Sequence, residues 1–86
     1  DETSAYQMTR YLIRKGHKKI ALLAGREDNL HTRRRLKGYQ NALFDAQILY
    51  NPRLVRYVDW NKPSGYQETK RLLKEDITAI FCMRIR

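Results

Sequence analysis

The sequence predicts an α/β fold: a parallel sheet with helices on both faces. Three observations carry that expectation. Residues 20–24 (IALLA) form an unbroken apolar run bounded by Lys18-Lys19 and Gly25, the pattern of a strand covered on both sides. Helical and strand patterns then alternate as αβαβαβ along the chain. Strand–helix–strand crossovers are right-handed, so the strands run the same way and end on one side of the sheet. Ligands of such sheets bind beyond the carboxyl ends of the strands, and the functional residues are sought there.

The bulk numbers bound the answer. Eighty-six residues make one small domain, and 42% hydrophobic with 31% charged residues is the composition of a folded globular chain. The single Cys82 excludes an intrachain disulfide and a cysteine-based metal cluster, which suits a reducing compartment. No apolar run approaches the roughly 18 residues needed to span a membrane. The chain opens at Asp1 inside a helical pattern, without an initiator Met or signal peptide, as a piece of a longer protein would. The net charge of +9 is spread over every predicted helix. Solvated helix faces are therefore the first reading, and a patch for nucleic acid or an acidic partner the second.

Helix one covers residues 3–15, with Ala5, Met8, Thr9, Leu12 and Ile13 at helical spacing, Thr3 or Ser4 as N-cap and Gly16 to end it. His17 closes the turn into strand one; with His31 the only other histidine, no spacing fits a metal site. The loop Arg26–Asn29 has a single glycine at its entrance, so it lacks the glycines of a phosphate-cradling loop. Helix two runs from Thr32, as N-cap, to about Gln47, burying Leu36, Tyr39, Leu43 and Ala46. Arg33 and Arg34 are solvated, whereas Arg35 falls in the first turn, where a cation opposes the helix dipole. Gly38 costs about 1 kcal/mol against Ala, a loss that close packing on the sheet would offset.

A turn at Tyr50-Asn51-Pro52 leads into strand two, Leu54–Val58, whose alternation places it nearer an edge. Helix three starts near Pro63, with Ser64 to Gln67 matching a capping box and Tyr66, Thr69, Leu72 and Leu73 on its inner face. Strand three, Ile77–Met83, is again a continuous apolar run and is expected to be central.

Trp60 directly follows strand two and Arg35 follows the loop from strand one. An indole beside a guanidinium suits a small polar ring: the indole stacks on its apolar face while Arg donates paired hydrogen bonds to its oxygens. The alternatives are a Trp60 packed over the end of the core and an Arg35 paired with Asp28 or Glu27. No nucleophile stands beside a base; Ser4 and Ser64 are helix-start residues, and no carboxylate pair marks a pocket. No catalytic residue, metal ligand or cofactor is assigned.

The segments YLIRKGHKKIALLAG, RRLKGYQNAL, VDW, SGYQETKRLL and TAIFCM resemble the LacI/GalR family of bacterial transcriptional regulators. The resemblance covers almost the whole chain and about a third of the sugar- or nucleobase-sensing domain, mostly the C-terminal subdomain of its periplasmic-binding-protein-like (type I) fold. It implies that Arg35 contacts effector hydroxyls or carboxylates, that Trp60 stacks on the effector, and that His31 matches a position that touches ligand in some members only. It also implies structural roles for His17 and Gly38. One departure stands out: the family usually has an Asn-Asp pair after the last strand, where this chain has Arg84-Ile85 and then Arg86.

The function implied is that of a cytoplasmic, sugar-responsive repressor. A small effector would shift a homodimer between arrangements and so change how it presents DNA-binding heads to operator DNA. The helix-turn-helix headpiece is absent here, as is most of the partner subdomain, so this segment alone is expected to bind neither operator specifically nor effector tightly. Two rival readings are a periplasmic-type sugar-binding transport protein and a small basic nucleic-acid-binding module.

Overall fold

Strand β1 (Ile20–Ala24) is the axis of the molecule, with all five residues buried. The computed structural model describes residues 2–62 and 64–82. Around β1 stand α1 (Glu2–Arg14), α2 (Leu30–Asp45), β2 (Val55–Tyr57), α3 (Ser64–Leu72) and β3 (Ala79–Cys82), with a 3-10 turn at Pro52–Leu54. The sheet order is β2-β1-β3 and both pairings are parallel, with Leu22 opposite Val55 and Ile20 opposite Ala79. The expected helix start at Pro63, the strand residue Met83 and the Arg84-Ile85 corner lie outside the described residues.

Successive side chains of β1 feed two cores, as strand alternation requires. Ile20, Leu22 and Ala24 meet Tyr39 and Leu43 of α2, with Leu12 and Ile13 of α1 packed alongside. Ala21 and Leu23 meet Val58 and Leu72 on the other face, under α3. The Tyr39 hydroxyl donates 2.6 Å to the Ile20 carbonyl, and burial raises the phenol's pKa well above its ordinary value, so the group remains a neutral donor.

In the sheet of the described residues strand two lies at one edge, as its alternation predicts, and strand three, expected to be central, lies at the other. Ala79 and Phe81 join the α1/α2 core, while α3 packs over β1 and β2 and leaves Ile80 and Cys82 exposed. An apolar run records that a strand could be covered on both faces; among the described residues only one face of β3 is covered.

Three helix expectations also change. Helix α2 is capped by Asn29, whose Oδ1 accepts from the backbone N–H groups of His31 and Thr32 at 2.8 and 3.4 Å. Thr32 is buried and therefore not the cap, and Arg35 moves into the second turn, where the dipole argument no longer applies. Gly38 is required by α1 and not by the sheet: a Cβ there would collide with the Glu2 carbonyl and lie 2.9 Å from the Tyr6 nitrogen. Met8, Tyr66 and Leu73 are exposed, because α1 buries the Ala5–Thr9 row and α3 buries only Leu72 fully. Tyr66 instead lies under the Lys70 ammonium.

Helix α2 ends at Asp45, and Gln47 beyond it adopts φ 59° in the left-handed region that favours glycine. Gln47→Gly is expected to stabilise the fold by about 1 kcal/mol in urea titration, the order of the left-handed penalty it relieves. Gly38→Ala should do the opposite, losing about 2 kcal/mol despite alanine's better helix propensity. A stabilised Gly38→Ala would mean that α1 and α2 are not in close contact.

Candidate ligand site at the carboxyl edge of the sheet

The parallel pairing brings the ends of β1 and β2 together. Ala24 lies opposite Tyr57, and its carbonyl accepts the Val58 N–H at 2.9 Å. The chain leaving β1 at Gly25 therefore runs beside the chain that leaves β2 for Asp59 and Trp60. The Asp59 carboxylate accepts the Asn61 N–H at 3.0 Å, which holds this second loop in a tight turn.

Gly25 is where the two loops meet. It is buried, and a Cβ built on it would lie 2.9 Å from Thr32 Oγ1 and 3.8 Å from Trp60 Nε1. At the other end of the indole, a Cβ on Gly65 would lie 3.4 Å from Trp60 Cζ3. The ring thus bridges the end of β1 and the first turn of α3, with both ends resting on residues that lack a side chain. It packs against the core of Ala21, Leu23, Val58 and Leu72 and remains half-exposed. Packing over the end of the core and presentation at the edge, which the sequence left as alternatives, coexist in one side chain.

Arg35 stands one turn beyond Thr32 on α2, three residues on and so on the same side of the helix, and is half-buried. Among the described residues it has no ion pair; Asp28, its expected partner, is held by Arg26 at 2.8 Å. The ion-pair alternative for Arg35 is therefore not realised among the described residues. His31 is exposed in the first turn of α2, its backbone N–H given to Asn29.

Charges cross this edge between the loops. The Arg26 guanidinium is held above its ordinary pKa by its hydrogen bond to Asp28, by the Asp28 charge, and by Asp59 on the neighbouring loop. Burial, with Glu27 second, raises the Tyr57 phenol.

Thr32, Gly25 and Gly65 were not legible as parts of this site. Thr32 reads in sequence as a cap, and its burial against Gly25 depends on where α2 starts. Among the described residues its Oγ1 has no hydrogen-bond partner. The one available signal was its spacing of three from Arg35. Away from the edge, His17 Nδ1 bonds Thr78 Oγ1 at 2.9 Å and ties the helix-to-strand turn to the start of β3. Among the described residues, no group of three or more His, Cys, Asp or Glu could hold a metal ion, and no helix is long and apolar enough to cross a membrane.

With this geometry in hand, comparison with known proteins is informative. A family model described as periplasmic binding proteins and sugar binding domain of LacI family matches residues 1–85. The chain is 39% identical over 77 residues to the HTH-type transcriptional regulator CelR of Thermobifida fusca, covering 87% of this chain and 23% of the relative. It is 34% identical over 79 residues to the HTH-type transcriptional repressor PurR of Haemophilus influenzae, covering 90% and 24%. Among solved structures, a transcriptional regulator LacI from Bacillus cereus subsp. cytotoxis superposes with TM-score 0.88 at 36% identity, over 95% of this chain and 30% of that one. A CelR–cellobiose complex gives TM-score 0.86 at 36% identity, over 95% and 26%. The chain spans about a quarter of the length of the curated relatives it matches. With a match along nearly its full length, a parallel sheet and relatives above 30% identity, the chain belongs to the family of periplasmic binding proteins and LacI-type sugar-binding domains.

Proposed function

We propose that this chain is part of the effector-sensing domain of a sugar-responsive, DNA-binding transcriptional repressor, and that Trp60, Arg35 and His31 contribute to one wall of its effector site. The observation that carries this reading is the Trp60 indole, fixed at both ends at the carboxyl edge of a parallel sheet yet half-exposed. A rigid aromatic face is an economical platform for a sugar ring, because little side-chain entropy remains to be lost on binding. Arg35 supplies a planar fork for hydroxyl or carboxylate oxygens, and His31 a further polar contact.

The chemistry is binding, not turnover. Effector held between this wall and a second subdomain favours one arrangement of the pair. In a homodimer that preference alters how headpieces meet operator DNA, by as much as the effector's differential affinity for the two states. The curated relatives are transcriptional regulators, which favours repression over transport, and a cytoplasmic location goes with it. The family description also includes periplasmic binding proteins, so a transport protein is the second reading. The sugar preference draws on the relative solved with cellobiose.

The test is calorimetric titration of the intact protein with a panel of mono- and disaccharides, cellobiose included. Trp60→Ala should weaken the best ligand by about 30-fold, near 2 kcal/mol, and Arg35→Ala by about 10-fold or more. Arg33→Ala and Arg34→Ala should leave the titration unchanged. If Trp60→Ala binds like the parent, the stacking role is wrong. If the only measurable affinity is for DNA, falls steeply with salt and depends on Arg33 or Arg34, the chain is a nucleic-acid module instead.

A further inference from the structure

Gly25 lies against two different elements, the Trp60 indole that follows β2 and the first turn of α2. A backbone in the left-handed region commonly demands glycine, but among the described glycines only Gly16 has a positive φ. What demands glycine at position 25 is space. Outside its chain neighbours, a Cβ built there would meet two atoms within 4 Å among the described residues: Thr32 Oγ1 at 2.9 Å and Trp60 Nε1 at 3.8 Å. These contacts differ in kind. The second is an ordinary van der Waals separation, whereas the first is too short for an unbonded carbon and oxygen.

The Thr32 side chain has no easy way to relieve such a clash. It is 1% exposed, and a β-branched residue is stiff about χ1. In close-packed surroundings the displacement passes to the backbone that carries it. That backbone is α2, which also carries His31 just before Thr32 and Arg35 one turn after it, on the same side of the helix. The indole, by contrast, is backed at its other end by Gly65, where a Cβ would lie 3.4 Å from Cζ3. Pressure at Gly25 therefore moves α2 against a fixed ring. Among the described residues the Thr32 hydroxyl has no hydrogen-bond partner, so what this side chain supplies there is shape and not a bond.

We propose that Gly25 and Thr32 are positioning residues for the effector site: the seat of the Thr32 side chain on the bare Gly25 backbone sets the spacing between the Trp60 indole and the part of α2 that carries His31 and Arg35. Both are buried and act through those neighbours without touching effector. This role rests on the proposed sugar-binding wall and adds to it the contact that keeps its two halves in register. A site holds its ligand only as well as the residues behind it fix the ones in front, and a looseness of about 1 Å is enough to spoil it.

The test is a double-mutant cycle on the intact protein, read as affinity for the tightest-binding saccharide of a mono- and disaccharide panel. Gly25→Ala should weaken binding by about 10-fold, and Thr32→Ala, which leaves α2 without its spacer, by about 3-fold. In Gly25→Ala/Thr32→Ala the new methyl takes the space of the lost hydroxyl, and affinity should return to within about 2-fold of the parent. A role in stability alone would shift the urea midpoint and leave the affinity of the folded protein unmoved. The amide spectrum reads which element moves: in Gly25→Ala, residues 31–35 should shift more than the Trp60 indole N–H. The proposal is overturned if Gly25→Ala, folded by circular dichroism, binds like the parent. It is also overturned if the double variant binds no tighter than Thr32→Ala, which would make the hydroxyl itself a sugar contact. Should Gly25→Ala not fold, that second comparison decides alone. If no saccharide binds the parent, or Trp60→Ala and Arg35→Ala both bind like it, the effector reading fails and this role falls with it. An affinity that needs Trp60 yet ignores Gly25→Ala sinks the positioning role only.

Discussion

The structure depends on one constraint: β1 is buried at every residue and pairs in parallel on both sides. A strand with no solvated face must be covered above and below, which separates α1 and α2 from α3. Parallel pairing with β2 then sends both chains out of the sheet at the same edge. The helices that return the chain form the layers, and the loops that leave the strands are free to carry chemistry. Gly25 lies where these demands meet, since a side chain there would displace Thr32 and crowd the indole.

The candidate site falls at the carboxyl edge because of this arrangement: the indole, Gly25 and Thr32 meet where β1 and β2 end. Behind it, buried hydroxyls are spent on backbone carbonyls, Tyr39 on Ile20 and Thr9 on Ala5. Membership of the LacI-type sugar-binding family supports the proposed reading of that edge.

Much of the fold was legible because burial leaves a period in the sequence. The unbroken IALLA run identified the central strand, and the alternation of residues 54–58 identified an edge strand. Where the sequence misled, a neighbour decided the matter. Ile77–Met83 looks as apolar as β1, but burial in β3 alternates, with Ala79 and Phe81 in the core and Ile80 and Cys82 exposed. Thr32 is a good cap in isolation, yet Asn29 caps the helix three residues earlier, through the His31 and Thr32 N–H groups, and Thr32 is drawn into the core. Gly38 was legible as a close contact, though not as a contact with α1. That Trp60 follows β2 at its carboxyl end could be read from strand direction alone; that two glycines pin its indole could not, because glycine leaves no pattern of its own.

The central claim is that parallel β1 and β2 deliver the Trp60 indole to Gly25 and Thr32. Proton NMR tests it most directly, through nuclear Overhauser contacts from the Trp60 indole N–H. The account predicts contacts to the Gly25 α-protons and to the Thr32 side chain. An indole N–H that shows neither, in a protein whose β1 and β2 amides remain protected, would contradict it.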